Sequence, residues 1–152
     1  MKTILAPVDF SAATEGVVAQ AGALARALAG RVVLLSVIQP PAITSEYAPL
    51  MENIAEIRAA GESAAAKNLA RLQANLQGQQ IPCETVQLNG APILHIVDQA
   101  MKLAADYIVM GSHGHTALYD LLVGSTTHGV LMRAACPVII LPPPSKKAGA
   151  RK

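Results

Sequence analysis

The sequence predicts an α/β protein, an open parallel sheet with helices packed on both of its faces. Three observations carry that expectation. Short apolar runs alternate with helically periodic stretches in the order β-α-β-α-β-α-β-α-β, which right-handed crossovers fold into one parallel sheet. The second and later central runs are continuously apolar, as in strands covered on both sides. Apolar residues make up 52% of the 152 residues while aromatics are 3% and Trp is absent. The core must therefore be built from Ala, Val, Ile and Leu, which suits thin helices lying close on a sheet.

The elements follow in order. Thr3 to Val8 reads as a buried strand ending at Asp9. Ser11 then offers a helix cap, and Val17, Val18, Ala21, Leu24, Ala25 and Leu28 recur at helical spacing as far as Ala29. Gly30 is read as the stop. Val32 to Ile38 is a second strand, ended by Pro40 and Pro41. After a loop through Pro49, one stripe of Ile54, Ile57, Gly61, Ala65, Leu69, Leu72 and Leu76 marks a long helix with Gly78 as its stop. Cys83 to Leu88 is a third, more polar strand, placed near a sheet edge. Asn89-Gly90 turns the chain, and Pro92 suits the first position of a helix carrying Ile93, Ile96, Val97, Ala100 and Leu103. Tyr107 to Met110 is a fourth strand, Ser125 opens a helix bearing Val130 and Leu131, and Pro137 to Leu141 is a fifth strand.

Composition narrows the function classes. The formal charge is +2, and Lys146, Lys147, Arg151 and Lys152 contribute much of the positive charge from what reads as a tail. Neither a basic surface nor a stacking platform is present for nucleic acid, since there are three Tyr and one Phe. Charged residues at 14% are fewer than usual, a first pointer to a covered subunit interface. Cys83 and Cys136 have no metal spacing and read as two small buried hydrophobes in a reducing compartment. No signal peptide pattern and no stretch of roughly 20 uninterrupted apolar residues occurs. The expectation is a cytoplasmic protein with neither membrane nor nucleic acid as partner.

The informative segment starts where the fourth strand stops. Gly111-Ser112-His113-Gly114 is followed, after nine residues, by Gly124-Ser125-Thr126-Thr127 and a helix, giving G-x2-G-x9-G-S. Glycines let a backbone approach an anion and reach conformations barred to other residues. Hydroxyls and unpaired amides at a helix amino end favour negative charge. Two such turns can hold a polyphosphate without lysine; the bland alternative is an ordinary βα turn and an ordinary helix start. A P-loop is absent. His113 and His115, with His128 as a third ligand, lack the spacing of a zinc site, so neither a metal site nor a catalytic residue is assigned.

With these residues the chain resembles the universal stress protein family over about residues 2 to 142. The resemblance rests on Ile4-Leu5-Ala6-Pro7-Val8-Asp9-Phe10-Ser11, Met110-Gly111-Ser112-His113-Gly114, Gly124-Ser125-Thr126-Thr127 and Cys136-Pro137-Val138. The class of that family with G-x2-G-x9-G-[ST] binds ATP, and this sequence is similar to that class. The resemblance implies an adenine nucleotide alpha-hydrolase-like sheet of order 3-2-1-4-5 in residues 1–143, while 144–152 read from their composition as a flexible basic tail. It implies a nucleoside beside Asp9, walled by Ala6, Pro7 and Val8, with adenine against the backbone of Val37. Met110 and Gly111 would lie on the ribose or base, and His113, Gly114, Gly124, Ser125, Thr126 and Thr127 would hold phosphates. It further implies a homodimer through Val138–Leu141.

One departure stands out. Between Gly114 and Gly124 many members of that family carry basic residues, whereas His115 to Val123 here contains no Lys or Arg. Charge on the outer phosphates of ATP, or of ADP, would fall to amides, hydroxyls, His113 or His115, and bound Mg²⁺; AMP would ask less. The leading expectation is a nucleotide-binding regulatory protein of the stress response. A slow ATPase and a nucleotide-free dimeric scaffold are the alternatives.

Overall fold

The computed structural model describes residues 1–40, 51–114 and 123–144. Its elements are β1 (Thr3–Pro7), α1 (Thr14–Ala27), β2 (Arg31–Ile38), α2 (Met51–Gly78), β3 (Cys83–Asn89), α3 (Pro92–Lys102), β4 (Tyr107–Gly111), α4 (Ser125–Arg133) and β5 (Val138–Leu141). The five strands form one sheet in the order β3-β2-β1-β4-β5, and every neighbouring pair is parallel. β3 lies at an edge, as its polar pattern predicts.

Successive strand residues face opposite layers. Ile4, Ala6, Val32 and Leu34 pack with Val17, Val18 and Ala21 of α1 and with Leu69, Leu72 and Leu76 of α2. Leu5, Val33 and Leu35 pack with Ile96 and Ala100 of α3 and Val130 of α4. This two-sided burial is why β1 and β2 read as continuous apolar runs.

Small residues set the helix distances. A Cβ at Gly22 would come within 2.8 Å of Leu76, and one at Gly129 would run into Ile93, so α1 meets α2 and α3 meets α4 closely. Among the described residues, no helix is long and apolar enough to cross a membrane.

Two local readings need correction. α1 starts at Thr14 with Ala13 as its N-cap and no side-chain cap bond, three residues beyond Ser11. Ser11 instead shapes a turn: its N–H donates to Asp9 Oδ1 (3.0 Å), and its carbonyl accepts from the Thr14 N–H (3.1 Å). The helices stop where the glycines predict, α1 just before Gly30 and α2 at Gly78, but neither glycine holds the left-handed conformation. That conformation falls on Ala29 (φ 51), Gln80 (φ 62) and, after α3, Ala104 (φ 48). Cys136 is only half-buried, whereas Cys83 is buried.

The stripe on α2 also divides. Ala65, Leu69, Leu72 and Leu76 are buried, while Ile57 is 61% exposed. At 1.5 Å per residue, the 28 residues of α2 run about 42 Å, against about 26 Å for the eight residues of β2. Its amino-terminal half overhangs the carboxyl rim of the sheet.

Candidate functional site

The chain order of the sheet reverses between β1 and β4, and a cavity of about 530 Å³ opens there beyond the carboxyl ends of the strands. That is where open α/β sheets place ligands. Its floor comes from Pro7, Val8 and Met110, and Val37 and Ile38 close the side toward β2. The overhang of α2 adds a wall of Gly61, Ala64, Ala65 and Asn68. Small residues on that wall leave the width open.

Of the residues predicted for the site, Pro7, Val8, Asp9, Val37, Met110, Gly111, His113, Gly114, Gly124, Ser125, Thr126 and Thr127 all line this cavity. Ala6 does not wall it. It is fully buried, its side chain packed on the α1/α2 face of the sheet. His115, with the rest of positions 115–122, lies outside the described residues.

Each lining group has a local cause. Phe10 adopts a left-handed backbone (φ 60) directly after Asp9, a strained conformation for a bulky residue that swings the chain from β1 toward α1. Asp9 is exposed, and its carboxylate lies so close to the glycine loop that a Cβ at Gly114 would run into it. His113 is buried, with Nδ1 3.0 Å from Ser112 Oγ. The amino end of α4 is tied down twice: Thr127 Oγ1 donates to the Gly111 carbonyl (2.8 Å), and the Gly124 N–H donates to the Ser112 carbonyl (2.7 Å). The first bond within α4 runs from the His128 N–H to the Gly124 carbonyl (2.9 Å). The amides of Ser125, Thr126 and Thr127 precede it, so they have no partner inside the helix.

These bonds revise the reading of the motif. The Gly124 amide and the Thr127 hydroxyl donate to the protein itself, so they position the loop rather than donate to a ligand. The conformational half of the glycine expectation fails as well. Among the described glycines the positive φ belongs to Gly90 (φ 134), outside the motif. What remains for Gly111 is close approach, since a Cβ there would lie 3.0 Å from that of Ala13.

The described lining contains Asp9 and His113 as its titratable side chains and no Lys or Arg. Among the described residues, no group of three or more His, Cys, Asp and Glu is placed to hold a metal ion. Sequence reasoning missed Phe10, Thr14, Gln39, Asn68 and the small residues of α2. Asn68 was the accessible signal, a polar residue one turn from the buried Ala65 and adjacent to Leu69 on an otherwise apolar stripe.

Relatives agree with this architecture. Residues 1–142 match the universal stress protein family. Universal stress protein MJ0577 of Methanocaldococcus jannaschii is 29% identical over an alignment covering 92% of this chain and 94% of that protein. Its solved structure superposes with a TM-score of 0.81 over 95% of this chain and 98% of that one, at 28% identity. Matches to Universal stress protein MJ0531 of the same organism, 40% identical, and to YxiE of Bacillus subtilis, 31% identical, span 39% and 60% of those proteins and 44% and 58% of this chain. The fold also recurs in a universal stress protein solved in complex with cAMP (TM-score 0.65, 22% identity, covering 93% and 96%). It recurs again in one from Archaeoglobus fulgidus in complex with dAMP (TM-score 0.64, 23% identity, covering 92% and 97%). With the sheet order, the cavity at its switch point and a family match over nearly the whole length in hand, the chain belongs to the universal stress protein family.

Proposed function

We propose that this chain is a regulatory nucleotide-binding member of its family, holding an adenine nucleotide in the cavity between β1 and β4. The observation that carries the reading is the convergence there of the glycine loop Gly111–Gly114 and the amino end of α4, where the amides of Ser125 to Thr127 have no partner within the helix. The relatives solved with cAMP and dAMP support an adenine nucleotide as the ligand class. ATP, accompanied by Mg²⁺, is the ligand that the G-x2-G-x9-G-S pattern favours, with ADP and AMP as other occupants. The protein would act in the cytoplasm in the stress response, as a homodimer through the edge strand Val138–Leu141. β5 is a short apolar edge with half-buried side chains, and such an edge is protected when it pairs with a second copy. Occupancy would act by favouring one arrangement of the site over another, and so one partner over another.

The test is direct. The purified protein is denatured and the released small molecules are identified, expecting an adenine nucleotide. With Gly114→Val and Gly124→Val combined, retained nucleotide should fall at least about tenfold, equivalent to about 1.4 kcal/mol. Unchanged retention in the variant overturns the reading.

Slow hydrolysis is a second reading, favoured by Asp9 and His113 sharing the cavity. It requires turnover above a buffer control with Mg²⁺, lost in Asp9→Ala while binding persists.

A further inference from the structure

We infer that the α1/α2 side of the cavity is a neutral hydrogen-bonding recess, made by Thr14, Ser36 and Asn68, that holds the uncharged nucleoside end of the ligand. The inference rests on the adenine nucleotide reading above and names residues for the end of the ligand opposite its phosphate.

The three residues share one face of the sheet. Val8, Val17 and Leu34 pack in the α1/α2 layer, and Ser36, two residues along β2 from Leu34, points to the same layer. Thr14 stands one helical turn before Val17 on α1, and Asn68 stands beside the buried Leu69 on α2. All three line the cavity together with Val8, Val17 and Ala65, so polar groups interrupt an apolar wall. Ser36 is 3% exposed and Thr14 5%. Thr14 Oγ1 is itself buried and meets no hydrogen-bond partner among the described residues. A buried hydroxyl left unpaired costs stability, and such groups are rare in native structures. A ligand seated against this wall supplies the missing partner.

The recess extends away from the anion cradle. The glycine loop follows β4, whereas Ser36 belongs to β2, two strand spacings or about 10 Å away. α2 crosses over β3 just beyond: Gln73 Nε2 donates to the Cys83 carbonyl at the start of that strand (2.9 Å), and Gln87 Nε2 near its end donates to the Glu62 carbonyl (2.9 Å). Asn68 falls between those two anchors and faces the cavity. The first turn of α1 is nearer the cradle, since a Cβ at Gly111 would lie 3.0 Å from that of Ala13. A nucleotide held by its phosphate at β4 therefore passes its ribose by Thr14 and brings its base to Ser36 and Asn68. Hydroxyls and a carboxamide each donate and accept, which suits the mixed donors and acceptors of a sugar and a base.

Isothermal titration with adenosine and with AMP tests this on charcoal-stripped wild type, Thr14→Val and Asn68→Leu, beside thermal melts of the same ligand-free samples. Each variant should weaken adenosine at least fivefold and AMP by the same factor within twofold, because the lost bond lies in the part that the two ligands share. Thr14→Val removes the unpaired hydroxyl and keeps the shape, so it should also raise the melting temperature of the ligand-free protein by at least about 2 °C. A role in folding alone would move the melt and leave adenosine binding unchanged. Adenosine affinity within twofold of wild type in both variants overturns the inference, as does a loss confined to AMP or a lower melting temperature in Thr14→Val. AMP binding without measurable adenosine binding overturns it too and leaves nucleotide binding standing. Binding of neither ligand overturns the adenine nucleotide reading itself.

Discussion

Gly124 is the residue at which the demands of the fold and of a ligand separate. Its backbone (φ −69, ψ 166) is open to any residue, and an added Cβ would rest at ordinary distances of 3.4 Å from the Ser112 carbonyl and 3.5 Å from His113 Cα. Serine is moreover a preferred residue at a helix N-cap. Gly124→Ser should hold or raise thermal stability by a few tenths of a kcal/mol, about 1 °C in a domain of this size. The same change should weaken AMP binding at least about fivefold, or about 1 kcal/mol, by placing atoms where a phosphate would sit. Melting curves and titrations on one preparation separate the two effects. Equal affinity in wild type and variant would show that glycine is not there for ligand approach. At the opposite rim, Asp106 accepts the Thr3 N–H at 2.8 Å and pairs with Lys2. That bond holds its carboxyl below the ordinary value of 3.8. Its contribution is therefore present above that value and is lost as pH falls through the lower folded one. Stability measured from pH 5 to pH 2.5 should fall less steeply in Asp106→Asn than in wild type. Cys83, buried and beside Glu84, has its thiol pushed up to about 11, so iodoacetamide at pH 8 should label the half-buried Cys136 first.

At the scale of elements, the helix ends carry the clearest strain. Ala29, Gln80 and Ala104 each hold a left-handed backbone after a helix, and the residue that follows closes the end with a bond back into the last turn: Gly30 to Ala25 (2.7 Å), Ile81 to Leu76 (3.0 Å), Ala105 to Ala100 (2.8 Å). A side chain in that conformation costs more than the backbone entropy of glycine does. Replacing any of the three by Gly should therefore raise stability by about 0.5 kcal/mol, measurable by urea titration. The pattern of glycines in the sequence points to the wrong position at α1 because Gly30 serves a different need. A Cβ there would come within 2.5 Å of the Lys2 carbonyl, so Gly30 is glycine for closeness and leaves the left-handed turn to Ala29. α2 gives a second contrast. Leu72→Ala should cost about 2–5 kcal/mol, while Ile57→Gln, on the overhang, should change stability by less than about 0.5 kcal/mol.

For the whole molecule, the strand count, the parallel pairing and the edge position of β3 were all legible, because two-sided burial writes itself into apolar runs such as Val32 to Leu35. Helix placement was legible to within a turn. The cavity was legible where it is made by segments directly after strands, as at Asp9, Gly111 and Gly114. It was not legible where it depends on a helix reaching across the sheet, as at Asn68 and Ala64, since nothing local to α2 states how far β2 extends. The detail of which amides are spent inside the protein, at Gly124 for example, depends on a turn closing against Ser112 and has no sequence signature. Assembly belongs to this scale too. If β5 pairs with a second copy, Ile140→Glu should shift sedimentation toward monomer with the circular dichroism spectrum retained, and an unchanged sedimentation coefficient would speak against that edge as the interface.

The reach of α2 past the sheet has a further consequence for how the molecule breathes. From Leu69 to Leu76 the helix is pinned by buried leucines, so releasing an amide there means exposing core. Nearer its start, around Ile57, an amide can open and reclose while the leucine layer stays shut. Hydrogen–deuterium exchange along this single helix should therefore form a gradient, fastest at the outer end, with that end free to loosen around an incoming molecule at no cost to the sheet beneath it.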